Sequence, residues 1–224
     1  PGKNVNLRID YISRPMVGNI PDLLIDLLEI AAYVYCVDQR IKRGTELLMD
    51  FGKDWRRSLI FSIPVRHPEV WQREDVQELL LETLGFLSDD SYAFRFSKAE
   101  APVQPRDPYF HELLDTFQEH DEVALFSGGI DSFAGAVDDI VTLDKSVTLV
   151  GHYSVPKVRN VQATLVDALK QRGYGRRLSY VPVWVSNTDI KPSEYTQRTR
   201  SFLFACIGLV VARMSGKDGF SFYE

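Results

Sequence analysis

Over residues 5–12 the apolar side chains Val5, Leu7, Ile9 and Tyr11 alternate with polar neighbours, the period of a half-buried strand. Asn19-Ile20-Pro21-Asp22 then opens a helix, with Asn19 a candidate cap and Pro21 tolerated in the first turn. Leu23, Leu24, Leu27, Ile30, Ala31, Val34 and Val37 recur at helical spacing and carry that helix to about Arg43 and Gly44. The β-rich run of residues 58–64 ends in Pro64, residues 68–87 read as one amphipathic helix, and residues 92–96 as a strand. This β-α-β-α-β order predicts a small α+β domain over residues 1–98. Pro102, Pro105 and Pro108 punctuate a stretch without periodicity, so residues 99–120 are expected to be a linker.

From Glu122 the pattern changes. Val123-Ala124-Leu125-Phe126 is a continuous apolar run, as in a parallel strand covered on both faces. The next helix carries Ile130, Phe133, Ala134, Val137, Ile140 and Val141 on one stripe. Residues 147–150 form the second strand, and Val158, Val161, Leu165 and Leu169 mark its crossover helix. The third strand, residues 178–185, contains Pro182, which cannot donate to a ladder, so that strand is expected at an edge. A long apolar helix over residues 196–214 leads to a fourth strand at residues 220–223. The expected fold class is α/β, a doubly wound parallel sheet over residues 121–224 preceded by the small α+β domain.

Composition adds limits. Of 224 residues, 45% are hydrophobic and 25% charged, which excludes a disordered or fibrous chain. The longest apolar run, residues 202–212, is about half the roughly 20 residues that a membrane span needs. Residues 1–5 lack the apolar core of a secretory signal, although the chain starts without Met, and a cytoplasmic location is expected. Cys36 and Cys206 lie in apolar helical patterns with no CxxC spacing and are expected to be buried, reduced and inert. Residues 121–224 carry 12 Lys and Arg against 11 Asp and Glu, while the first 120 carry 14 against 20. That balance argues against a general nucleic-acid surface and suits a small anionic ligand held by a few placed arginines.

The first strand of the α/β half runs directly into Ser127-Gly128-Gly129-Ile130-Asp131-Ser132, which opens a helix. Backbone amides and the helix dipole converge on an anion at such a junction. Gly128 and Gly129 allow positive φ and close approach of a phosphate, and Ser127 and Ser132 add hydroxyl donors. Asp131 cannot bind phosphate itself; it either holds a Mg²⁺ that bridges phosphates or caps the loop internally. A bare tight turn followed by an Asp-Ser helix cap is the simpler account of these residues, but the whole hexapeptide falls between a buried strand and an amphipathic helix. The GxxxxGK[ST] spacing and its lysine are missing, so γ-phosphoryl transfer is not favoured.

The loop resembles that of the N-type ATP pyrophosphatases, the PP-loop family, whose SGGxDS signature accompanies ATP cleavage between the α- and β-phosphates. The resemblance covers about residues 121–224. Within that family the chain is similar to the QueC group, the 7-cyano-7-deazaguanine synthases, and to the QueC-like proteins of bacterial antiviral operons such as QatC and type IV CBASS. Thr199-Arg200-Ser201-Phe202-Leu203, followed by an apolar helix, is similar to the QueC Gly-Arg-Asn helix start, and the first helix looks like the extra domain of the defence-associated group. The resemblance implies ATP and Mg²⁺ as cofactors and adenylation of a carboxylate, with a 7-deazaguanine-type acid passed to ammonia or to a protein amine. The N-terminal domain has no catalytic motif and holds all of the acidic excess, so it is expected to dock a protein partner, from the same operon, or a second subunit. The chain departs from QueC in two ways: Gly151-His152-Tyr153-Ser154 replaces Tyr-Gly-Gln, and the four-cysteine zinc cluster of that group is not reached by Glu224, so zinc is expected only in a part beyond it.

Arg200 aligns with the family arginine and is the candidate for phosphate or substrate carboxylate, against a plain surface salt bridge; Arg198 is a second candidate. Gly151, His152, Tyr153 and Ser154 follow the second strand at the carboxyl edge, where backbone contacts to adenine and a stack from Tyr153 are expected. Lys157 and Arg159 flank that edge as solvated charges, and Glu224 follows the fourth strand. The rival readings are a tRNA thiolation or amide-forming PP-loop enzyme, and a nucleotide-binding scaffold subunit of a defence complex.

Overall fold

A computed structural model describes residues 5–8, 20–43, 55–100, 120–187, 194 and 196–223, in a mixed α/β arrangement with two sheets. In chain order the elements are β1 (Val5–Arg8), α1 (Asp22–Asp38), β2 (Ser58–Val65), α2 (Pro68–Trp71), α3 (Glu74–Ser88), β3 (Ser91–Lys98), β4 (Glu122–Leu125), α4 (Ile130–Val137) with a π-helical turn (Asp138–Thr142), β5 (Val147–Tyr153), α5 (Pro156–Gln171), a 3₁₀ turn (Tyr174–Arg177), β6 (Leu178–Asn187) and α6 (Arg200–Met214).

The described residues divide into two compact units, one of residues 5–8, 20, 120–187 and 204–223, the other of residues 21–43, 55–100, 194 and 196–203. The division differs from the expected boundaries at 98 and 121 for two physical reasons. β1 pairs antiparallel with β6, Val5 opposite Asn187 and Arg8 opposite Trp184, and so joins the later sheet. Asp38 at the end of α1 accepts hydrogen bonds from the Thr199 amide and hydroxyl, both at 3.1 Å, and so claims the segment before α6. Most of the expected linker, the candidate cap Asn19 and Glu224 lie outside the described residues.

In the first unit the sheet order is β1-β6-β5-β4, parallel from β6 to β4. The expected fourth strand is a single parallel bridge, Ser221 to Ala124, on the far side of β4. Strand order therefore reverses at β4. β5 is buried along its whole length, as its apolar run requires. β6 is interior, contrary to the edge position inferred from Pro182. The pairing of β6 with β1 spans residues 184–187 only, so among the described residues position 182 has no ladder to fill on that side.

The helical stripes also differ from expectation. Ile130 is 82% exposed while Ala136, off the expected stripe, is fully buried; within the π turn Ile140 is fully buried, as the stripe requires, and Val141 is exposed. On α5 the buried positions are Gln162, Val166 and Leu169, and Val161 is exposed.

In the second unit β2 and β3 pair in parallel, so the expected α+β layer is a parallel strand pair. The inward residues Leu59, Phe61, Ile63 and Val65 of β2 meet Phe94 and Phe96 of β3, with Ile30 and Val34 of α1 and Leu80 and Leu84 of α3. The single helix expected over residues 68–87 breaks at Arg73, whose backbone is extended, into α2 and α3. Buried Asp26 accepts the amides of Arg66 and His67 and the indole N–H of Trp71, fixing α2 to α1. Arg57 and Arg43 both reach Asp38 and Asp90 in a four-member buried ion network.

Candidate functional site

The chain leaves β4 at its carboxyl end through Phe126, whose amide still bonds the Val150 carbonyl at 2.7 Å, and turns at Gly128 with φ +81°. That left-handed backbone is why position 128 is glycine. Gly129 precedes α4 in extended conformation, and Ile130, Asp131 and Ser132 form the helix's first turn, where amides have no intrahelical partner. Asp131 is exposed there.

The two loop hydroxyls are engaged within the loop. Ser127 Oγ accepts from the Gly129 amide at 3.2 Å and lies 3.0 Å from Ser132 Oγ, while the Ser132 hydroxyl donates to the Gly129 carbonyl at 3.2 Å. They brace the turn, so the groups the turn presents are its amides rather than the hydroxyls expected from sequence.

Beneath the loop lies a residue that the sequence reading passed over. Gln162 on α5 is completely buried, and its Nε2 donates to the carbonyls of Phe126 and Ser127, both at 3.1 Å, and of His152 at 3.3 Å. Tyr180 on β6 donates its hydroxyl to Gln162 Oε1 at 2.7 Å. Burial, with Tyr153 nearby, pushes the Tyr180 phenol above its ordinary range, so it stays a donor and fixes which way the amide is turned. A Cβ at Gly151 would come within 2.9 Å of Gln162 Oε1 and of the Tyr180 ring and hydroxyl, so glycine there leaves room for this pair.

β5 runs to Tyr153, so Gly151, His152 and Tyr153 are strand residues and buried; only Ser154 of the expected four lies past the strand's end, half-buried. The Tyr153 ring packs edge-on against Trp184 at 5.1 Å and carries the Arg159 guanidinium 5.7 Å from its centroid, rather than standing open for a base. His152 is 2% exposed with its ring 6.4 Å from Phe204. A depression of about 480 Å³ is lined by Lys157, Asn160, Val161, Thr164 and Leu165 on α5. It adjoins the loop, because a Cβ at Gly128 would lie 3.6 Å from Val161.

Arg198 and Arg200 fall in the second unit. Arg198 precedes α6, half-buried, its guanidinium 5.2 Å from the Trp55 ring centroid. Arg200 is the first residue of α6 and exposed. Thus the structure brings Ser127, Gly128, Gly151 and the His152 carbonyl to Gln162 in the first unit, while in the second Arg198 lies over Trp55, and Thr199, between the two arginines, is held by Asp38.

Both cysteines are free and buried, and burial pushes each thiol up to about 12. Among the described residues no helix is long and apolar enough to cross a membrane. Comparison of the chain with protein-family models, with curated proteins and with solved structures returns no match.

Proposed function

We propose that this chain is an N-type ATP pyrophosphatase that adenylates a carboxylate. The observation that carries the reading is the position of Ser127-Gly128-Gly129-Ile130-Asp131-Ser132 at the carboxyl end of β4, where strand order reverses, β5 and β6 to one side and Ser221 to the other. Open α/β sheets hold their ligands in the crevice at such a switch point. The reversal also favours the doubly wound PP-loop arrangement over a simple layered sheet.

The loop fits the polyphosphate of ATP by the chemistry of its donors: unpaired first-turn amides at a helix N-terminus behind a glycine turn. Exposed Asp131 fits Mg²⁺, which is usually held by one or two carboxylates together with substrate phosphates. When bound, the metal neutralises charge on leaving pyrophosphate. The carboxylate oxygen of the acid attacks the α-phosphorus, the bond to the bridging oxygen breaks, and pyrophosphate departs as the acyl-adenylate forms. Ammonia or an amine then displaces AMP. The amides hold the phosphates in line; by the resemblance in sequence alone, Arg200 is the candidate for the developing charge or the substrate carboxylate. No side-chain nucleophile is needed. The buried, high-pKa thiols of Cys36 and Cys206 favour this reaction over thiolation, which requires a reactive thiolate.

By the resemblance in sequence, the acid is of the 7-deazaguanine type and the setting is bacterial antiviral defence in the cytoplasm, with a partner protein from the same operon. The test is hydrolysis of α-³²P-ATP and γ-³²P-ATP in parallel, with and without that acid and partner. Label from the first is expected in AMP and from the second in pyrophosphate. ADP and orthophosphate would show an ordinary ATPase, and nucleotide binding without turnover under every condition would favour the scaffold subunit.

A further inference from the structure

Strands β4 and β5 part after Phe126, and at the fork three carbonyls, those of Phe126, Ser127 and His152, converge on one point. A buried carbonyl left without a donor is destabilising, so the fork demands donors. Gln162 supplies one primary amide from a fully buried position on α5, and its two hydrogens serve the three carbonyls with one hydrogen shared between two of them.

The geometry has a directional consequence. In a trans peptide the carbonyl and the following N–H point in opposite directions, and no cis bond occurs among the described residues. Tying the Phe126 and Ser127 carbonyls inward to Gln162 therefore turns the amides of Ser127 and Gly128 outward, away from α5. The second of these peptide planes leads directly into Gly128, where the chain turns with φ +81°. A Cβ at Gly128 would sit 3.0 Å from Gln162 Cγ, so loop and side chain are in direct contact. Through the His152 carbonyl the same amide ties the loop to the carboxyl end of β5.

We infer that Gln162 is the positioning residue of the loop: its amide fixes the peptide planes that aim the Ser127 and Gly128 amides at an anion, and locks the loop in register with the end of β5. This role for binding rests on the nucleotide reading above, whereas its effect on loop conformation does not.

The experiment uses the full chain with Mg²⁺-ATP as the probe and ¹⁵N-labelled protein for the loop. Q162M keeps the length and loses every hydrogen bond; ATP affinity is expected to fall by about tenfold or more, with the Gly128 and Gly129 amide resonances displaced. Q162E keeps the shape and one acceptor. Ionised, it repels the three carbonyls; protonated, it can donate to one of them. Its affinity should be low at pH 8 and recover as the pH is lowered toward 5.5, a rescue that a packing role would not produce. His152 and Tyr153 on β5, Arg159 on α5 and Tyr180 on β6 are the ionisable groups around the position, and the wild type, which has all four, is the control for them. Should Q162M fail to fold, Y180F removes only the donor to Oε1, and a displaced loop with weaker ATP binding is again expected. Native Gly128 and Gly129 resonances with ATP affinity within about twofold of wild type in Q162E at pH 8 would overturn the inference. If the wild type itself does not bind ATP, the nucleotide reading falls and the resonances alone decide the positioning role.

Discussion

Gly128→Ala tests whether the loop's conformation is a matter of backbone freedom alone. Position 128 has φ +81°, where an L-residue costs about 1–2 kcal/mol relative to glycine. Gly173, at φ +97°, provides the control, since a Cβ there meets nothing within 4 Å. Gly173→Ala should therefore show the backbone cost alone. At 128 the new methyl also meets Gln162 Cγ at 3.0 Å, and Gln162 cannot swing away without releasing the three carbonyls and Tyr180. The expected result is a loss of about 1–2 kcal/mol for Gly173→Ala and a larger one for Gly128→Ala. ATP affinity should fall about tenfold or more in Gly128→Ala only. Urea denaturation with constant m values gives the first quantity and calorimetric titration with Mg²⁺-ATP the second. Equal destabilisation and equal affinity in the two variants would refute the argument that the loop is held from below.

Asp38→Ala removes one anion from a buried network with two arginines, and a loss of about 3–5 kcal/mol is expected by denaturant unfolding; a loss below about 1 kcal/mol would mean the network is solvated. For Asp90, burial pushes the carboxyl up, but hydrogen bonds from the Arg57 side chain and amide, its charge and Arg43 hold it below the usual range. Its stabilisation is accordingly complete above the unfolded carboxylate value near 3.9 and is lost as pH falls through the lower folded value, so Asp90→Asn should flatten the acid limb of stability against pH. Cys36 and Cys206 should resist iodoacetamide at pH 8 in the native protein and react together in denaturant, as read by mass spectrometry; native labelling of either would contradict its burial.

The loop was legible because its chemistry is local: an apolar strand, two glycines and a helix start follow each other directly. Its support was not, and the cause lies in how a helical face is chosen. Two stripes on α5 share Leu169. The one through Val158, Val161 and Leu165 is wholly apolar, so periodicity selects it, yet Val161 is exposed and the stripe through Gln162 and Val166 faces the sheet. A glutamine at helical spacing from Val158 and Val166 was the signal, and the cost of burying it is met by carbonyls contributed by β4 and β5, which no local pattern reveals. The break between α2 and α3 was hidden in the same way. Gln72 and Arg73 suit an amphipathic helix, but Gln72 donates to the Phe96 carbonyl at 2.8 Å and Trp71 to Asp26, both distant in sequence.

β1 shows the limit of period-two reasoning most plainly, since alternation reports a half-buried strand but carries no information about its neighbour. The charged residues show the converse. Arg43, Arg57, Asp38 and Asp90 carry no periodic signal in sequence, yet they form a buried cluster in which Asp38 also anchors the Thr199 amide and hydroxyl. Thr199 lies between Arg198 and Arg200, so the last residue of α1 helps to set where both candidate arginines stand. Gln197, at φ +44°, turns the chain into that anchor, and its carbonyl accepts the Arg200 amide at 3.0 Å. The residue before the helix, Thr199, has both its amide and its hydroxyl engaged by a carboxylate from another helix. The start of α6 is thus a tertiary feature. Any contribution of Arg200 to phosphate or carboxylate binding should then depend on Asp38 as well as on the arginine itself.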